Sequence, residues 1–374
     1  MGGPEIHIGD VGTQSVSIVA ASLNKASGLH LGPVKGANTL KVSGNTVEIV
    51  ASAKNVAKGV DAGKGADVTI GSSNAESVSI AGIKTGESQE GADEQAYGIF
   101  NVNQAQTKVY GKTVNVVAKG AKDTRAIHVA NNTEAQDKSA TLTIVGDEVC
   151  ITAESDDPDH STVGISAMSH GQVHITGNTV VTASDAIGAR GSSVVSINAD
   201  GRHYTQINGN VNFSYDAPTS GTSVDATVVL NLVGPESSWT GNMVVTWNGT
   251  PTNKDEYLSV TGMKLGLSKG AVWTPVETGH DSTTVTLGQK YTALNLLENN
   301  DGVINITDSA IDVTVEKMTG TGGTVNLAAD LTAEEGSQTG RITIDEADAN
   351  SKIDVKLKLS LIHISEPTRQ AEIS

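Results

Sequence analysis

The sequence predicts an all-β protein built as one elongated parallel β-solenoid with three short strands per turn. Three observations carry this: a glycine-hinged unit that recurs along the chain, a second short piece that recurs between its copies, and a composition of 41 glycines with only 3% aromatics. The unit is clearest at residues 40–51 (LKVSGNTVEIVA). Leu40, Val42, Val47 and Ile49 fall on one side of a hinge pair around Gly44, and Lys41, Ser43 and Glu48 fall on the other. That alternation has the period of a half-buried strand. Residues 107–118 (TKVYGKTVNVVA), 142–153 (LTIVGDEVCITA) and 173–184 (VHITGNTVVTAS) keep the same slots. Aligned, the glycines are Gly44, Gly111, Gly146 and Gly177; Val42, Val109, Ile144 and Ile175 precede them, and Val47, Val114, Val149 and Val180 follow as expected inward residues. The outward slots vary freely, with Glu48, Asn115, Cys150 and Val181 in one of them. Fixed apolar slots beside free polar ones suit strands that touch only the turns above and below.

The second piece precedes each hinge pair: residues 28–31 (GLHL), 59–62 (GVDA), 98–101 (GIFN), 126–129 (AIHV), 164–167 (GISA) and 186–189 (AIGA). Each turn thus offers three strands running the same way, pairing with neighbouring turns at about 4.8 Å. A chain of 374 residues exceeds one ordinary core, which stops growing at about 250–300 residues. A coil escapes that limit by lengthening, and a slender tube is filled by Val, Ile, Leu and Ala rather than by rings.

In chain order, residues 6–9 (IHIG) and 16–20 (VSIVA) copy residues 68–71 and 78–81 at the same separation. The chain therefore opens inside a repeat, and the expectation is an N-terminally truncated gene. Regular repeats fill residues 1–215. Residues 216–299 are less regular alternating strands holding Trp239, Trp247 and Trp273, and residues 300–358 form a last set of turns. Residues 359–374 break the pattern and resemble the translation of a sequencing adapter, so they are set aside as a non-native tail.

The formal net charge of -17 argues against nucleic acid, which needs a clustered basic face. A lone cysteine allows no internal disulfide framework. No apolar run reaches the length of about 18 residues needed for a membrane-spanning helix.

Residues 318–327 (MTGTGGTVNL), a polar spacer, residues 340–344 (GRITI) and residues 353–357 (IDVKL) together resemble the end of an autotransporter passenger domain of the pertactin-like type, the class exported by type V secretion. The resemblance implies a right-handed parallel β-helix whose last turns promote folding. It also implies display at the bacterial cell surface or secretion, and an outer-membrane β-barrel downstream in the full-length protein. The earlier repeats resemble that family in pattern rather than in a fixed motif. Signal peptide and barrel are not in this sequence, which truncation at both ends explains.

No catalytic constellation stands out, so no enzyme activity, cofactor or metal is expected. Residues 9–12 (GDVG) lack the serine of a protease nucleophile loop. Asp156, Asp157, Asp159 and His160 are consecutive loop residues beside Pro158, and read as a solvated acidic turn before a weak calcium loop. His7, His30, His128 and His174 fall outward and read as surface histidines. Asp61 and Phe100 fill the slot between His30 and His128, so no ligand pair stacks on adjacent turns. Cys150 reads as an incidental free thiol.

Two function classes remain: an adhesin or self-associating binding module contacting host or sister-cell proteins or glycans, and a β-helix enzyme acting on polysaccharide. The missing catalytic cluster favours the first. Its binding surface is expected on two acidic insertions, residues 84–95 and 154–162, which carry Glu87, Glu90, Asp93, Glu94, Asp156, Asp157 and Asp159. Both leave after the strand that follows the hinge. With one turn between them, their bases should lie about 10 Å apart. Such a negative patch would suit a basic partner or a bridging calcium ion.

Overall fold

Runs of four to eight Val, Ile, Thr and Ala residues are too short to persist as isolated strands, so each must find a partner along both edges. Here each run finds it one repeat away. The computed structural model describes residues 5–10, 12–32, 38–87, 93–120, 122–131, 139–216, 226–248, 261–276, 291–308, 311–330 and 338–359. Among these the protein is all-β: 27 strands in a single hydrogen-bonded sheet, with no helix.

The strands stack in three ladders. Ladder A runs Glu5–Ile8, Asn38–Val42, Ala66–Gly71, Gln106–Tyr110 and the first part of Thr141–Glu154. Ladder B runs Ser15–Ser22, Thr46–Ala53, Ser77–Lys84, Thr113–Lys119 and the second part of Thr141–Glu154. Ladder C runs Lys25–Leu31, Val56–Ala62, Gln95–Val102, Asp123–Ala130 and Thr162–Met168. The long strand Gln172–Arg190 joins all three in succession. Ladders A and B continue to Arg341–Ala347 and Asp354–Leu359, and ladder C is described as far as Met243–Asn248. Among the described residues every pairing is parallel except a short antiparallel one between Gln338–Thr339 and the end of Asp312–Asp330.

The register explains the repeat. Val42, Ile70, Val109, Ile144 and Ile175 stack in ladder A. Leu29, Val60, Ile99, Ile127, Ile165 and Ile187 stack in ladder C. All of these are buried and belong to one continuous core. Burying such a side chain fully stabilises by about 1.5–3 kcal/mol, so the core columns hold the ladders together. Glycine is required where turns come closest: a Cβ on Gly59 would lie 2.6 Å from the carbonyl oxygen of Gly98.

Two readings need correction, and the first concerns a hinge pair. Val180 was expected inward and Val181 outward, but Val181 is fully buried and Val180 only half-buried. Ladder B pairs Val149 with Thr179 and Ile151 with Val181, after a register shift between Val145 and Glu148. The hinge at Gly177 is one residue tighter than at Gly146, and a slip of one residue exchanges the two faces of a strand. Gly177 takes φ +136°, where a Cβ would sit 2.1 Å from the Gly146 carbonyl oxygen. Thr179 occupies the inward slot, and its hydroxyl donates to the Gly177 carbonyl at 2.7 Å.

The second correction concerns aromatic rings in the core. Trp239 and Trp273 fill ladder B between Ile207 and Ile304, with rings stacked at 5.1 Å and 11°. Both are fully buried, and their indole N–H groups donate to the carbonyls of Gly209 and Gly241 at 3.0 and 3.1 Å. Burial of an indole is tolerable only with such a partner. At the other end, Leu359 pairs with Ala329 in ladder B, so the last strand takes in the first residue of the segment set aside as a tail. Residues 360–374 lie outside the described residues.

Candidate functional site

Ladder B turns into ladder C at a corner, and there the insertions leave the strands. Lys84 ends Ser77–Lys84 and Glu154 ends Thr141–Glu154; between them lies the short corner at Gly120 and Lys122. Residues from all three corners line one cleft of about 500 Å³: Lys84, Glu87 and Glu94 from the first, Gly120 and Lys122 from the second, and Ser155, Asp156, Asp157 and His160 from the third. The third loop is shaped by its own side chains. The amide of Asp157 donates to the Ser155 hydroxyl at 3.2 Å, the amide of Asp159 to the Asp157 carboxylate at 3.0 Å, and His160 faces Asp157 at 3.2 Å.

The cleft is mixed in charge rather than uniformly negative. The ammonium of Lys84 lies 3.5 Å from Glu94 and donates to the Gly86 carbonyl at 2.8 Å. Lys122 approaches the same Glu94 at 3.9 Å, and Lys119 pairs with Glu154 at 3.4 Å. Of the residues named from the sequence, Glu87, Glu94, Asp156 and Asp157 line the cleft. Asp93 and Asp159 are exposed beside it, and Glu90 lies outside the described residues. Among the described residues no group of three or more His, Cys, Asp or Glu side chains is arranged to hold a metal ion.

A second constellation sits on the outward side of ladder C, beginning one strand from the cleft. Register stacks His30, Asp61, Phe100, His128 and Ser166 in one column and Ser27, Lys58, Tyr97, Arg125 and Val163 in the next. The Lys58 ammonium lies 3.5 Å above the centre of the Phe100 ring and 3.5 Å from Asp61, which also meets His30 at 3.0 Å. On the next turn the His128 ring stacks on Phe100 at 5.1 Å and 22°. The Tyr97 hydroxyl donates to Asp123, and the same carboxylate holds Arg125 Nε at 2.7 Å. Arg125 Nη1 in turn lies 3.2 Å from both His128 Nδ1 and the Ser166 hydroxyl.

Comparison of the chain with protein-family models, with curated proteins and with solved structures finds no match in any of the three. The residues themselves therefore carry the functional argument.

His128 corrects the reading of four surface histidines. His30 is exposed, but His128 is 8% exposed, under its neighbours in the column. Burial, reinforced by the Arg125 guanidinium, pushes its pKa down to about 3, so the ring is neutral at ordinary pH. Since Arg125 can only donate, Nδ1 accepts from it and Nε2 carries the proton. Burial also lowers Lys58, with Asp61 opposing the shift, and burial together with Asp123 raises the Tyr97 hydroxyl. Cys150 is free and half-buried in its outward slot, and burial followed by Glu148 raises its thiol above the usual range. The sequence shows the slot shared by His30, Asp61, Phe100 and His128, but not the neighbouring Lys58, Tyr97 and Arg125. The signal that could have found them is the recurrence of Lys58, Tyr97 and Arg125 three residues before Asp61, Phe100 and His128.

Proposed function

We propose that the chain is a right-handed parallel β-helix of three strands per turn, belonging to an autotransporter passenger of the pertactin-like type. In this reading it works as a binding module, an adhesin displayed at the bacterial surface, and an outer-membrane β-barrel anchors the full-length protein. The resemblance of residues 318–357 supports the family. The continuation of ladders A and B through those residues is what such an end would need. The observation that carries the binding role is the cleft at the corner between ladders B and C. There, loops from turns that are not consecutive face each other across Lys122. Loops raised on a rigid scaffold are where recognition concentrates. With four carboxylates against two lysines, the cleft suits a basic or zwitterionic group of a host or sister-cell protein.

The test replaces residues 84–95 and 154–162 by short Gly-Ser turns in a surface-displayed chain and counts attachment to cells and matrix. Attachment should fall at least tenfold while far-UV spectra stay unchanged. Undiminished attachment with intact folding would remove the loops from the binding surface.

A further inference from the structure

The outward column of ladder C is unusual for a protein of net charge -17. Two cations and two carboxylates, Lys58, Arg125, Asp61 and Asp123, are balanced within it, and the aromatic rings beneath them are stacked along the coil. The side chains of Lys58, Asp61 and Arg125 keep 16%, 16% and 24% of their exposure, so each is partly withdrawn from water yet still reachable. Tyr97 and His128 are buried below them. Charged groups on an outward face usually extend into solvent; here ion pairs and ring contacts hold them in fixed directions.

We propose that this column is a binding strip for an extended, uncharged glycan lying along the coil. Three features lead to that class of ligand. First, the strip repeats at about 4.8 Å per turn, close to the length of one pyranose unit in an extended chain, so one sugar can meet one turn. From His30 to Ser166 it spans five strands, four spacings and about 19 Å. Second, planar carboxylates and guanidinium groups, already oriented by one another, are suited to the vicinal hydroxyls of a sugar. Arg125 is held by Asp123 at 2.7 Å, and Asp61 is held between Lys58 at 3.5 Å and His30 at 3.0 Å. Preorganisation of this kind lowers the ordering cost of binding. Third, the charges cancel within the strip, and a polyanion would also meet repulsion from the rest of the chain, whereas a neutral polyhydroxyl ligand meets none. The neutral His128 ring, with Nδ1 accepting from Arg125, keeps that fork in one orientation across the physiological pH range.

The inference goes beyond the loop reading and stands or falls without it. The experiment titrates the full chain with neutral hexasaccharides of glucose, mannose and N-acetylglucosamine, and with polygalacturonate as the anionic arm, by calorimetry. At least one neutral hexasaccharide should bind. The charge-conserving double variant D123N/R125Q should weaken that binding tenfold or more, and the chain with both loops replaced should keep it. Should the double variant fold poorly, hydrogen exchange on the wild-type chain decides instead: sugar should slow exchange in Gln95–Val102 and Asp123–Ala130 above all other strands. Binding of polygalacturonate alone, binding of no hexasaccharide, an undiminished double variant, protection elsewhere, or shortening of the sugar would each overturn the proposal. Loss of cell attachment in the loop-replaced chain with sugar binding intact would show that the two surfaces act separately.

Discussion

At the scale of single residues, His128 shows how an outward slot can become an interior. Its ring stacks on Phe100, takes a hydrogen bond from Arg125 and lies close to Tyr97 and Ser166. Burial and then the Arg125 guanidinium hold the ring neutral; Asp123 opposes them, and Lys58 adds a smaller repulsion. The folded-state pKa of about 3 lies below the 6.5 of an unconstrained histidine. As pH falls below 6.5 the unfolded chain takes up a proton that the folded chain refuses, so stability drops from there down to about pH 3 and is complete above pH 6.5. Carboxylates titrate mainly below pH 5, which leaves pH 5–6.5 as the window where His128 is separable. A His128→Phe variant keeps the ring stack and removes the titration. Its melting temperature should change less between pH 6.5 and pH 5 than that of the wild type. Parallel curves for the two proteins over that window would show that His128 is not the buried, neutral group described.

At the scale of the strand, the hinge decides which side chains reach the core. Gly111, Gly146 and Gly177 approach one another closely, yet the strand after Gly177 enters one residue earlier, and Thr179 and Val181 replace Val180 as inward residues. Val181→Asp should destabilise by the loss of about 1.5–3 kcal/mol of burial, with the further penalty of a carboxylate among aliphatics. Val180→Asp, next to Cys150 in register, should change stability little. Urea denaturation of the pair would reverse this order if the uniform alignment were correct. The comparison also marks how much was legible beforehand. Alternation and the glycine column identified the three ladders and most of the core, because an inward slot admits few residue types. A one-residue tightening of a turn leaves no trace in a pattern of Val, Thr and Val, where either register buries an acceptable residue. The cleft loops were legible from their acidic composition, but Lys84 and Lys122, which divide the negative charge, come from the strand end and the intervening corner. The strip on ladder C was hidden for a different reason: its members are 28 to 39 residues apart in sequence, and only the register brings them together.

At the scale of the whole molecule, the strands pair along each ladder with those one repeat before and after. Stability in such a stack is close to a sum of turn and neighbour terms, so damage should stay local when the remaining turns can stand alone. Ile144 tests this. It is fully buried in ladder A between Val109 and Ile175 and lies far along the chain from the Trp239–Trp273 stack. Ile144→Asp places a carboxylate among the buried aliphatic side chains of the regular repeats. Amide exchange should then accelerate in Gln106–Tyr110, Thr141–Glu154 and the start of Gln172–Arg190. Protection should persist in Ala226–Val233 and Thr261–Ser268, which pair with each other several turns away. The buried indoles report the same boundary independently. Their emission, set by burial and by the hydrogen bonds to Gly209 and Gly241, should keep its wild-type maximum until denaturant reaches the distal turns. Simultaneous loss of exchange protection and indole burial in the variant would mean that the stacked strands fold as one cooperative block, too weakly stable to survive a broken neighbour.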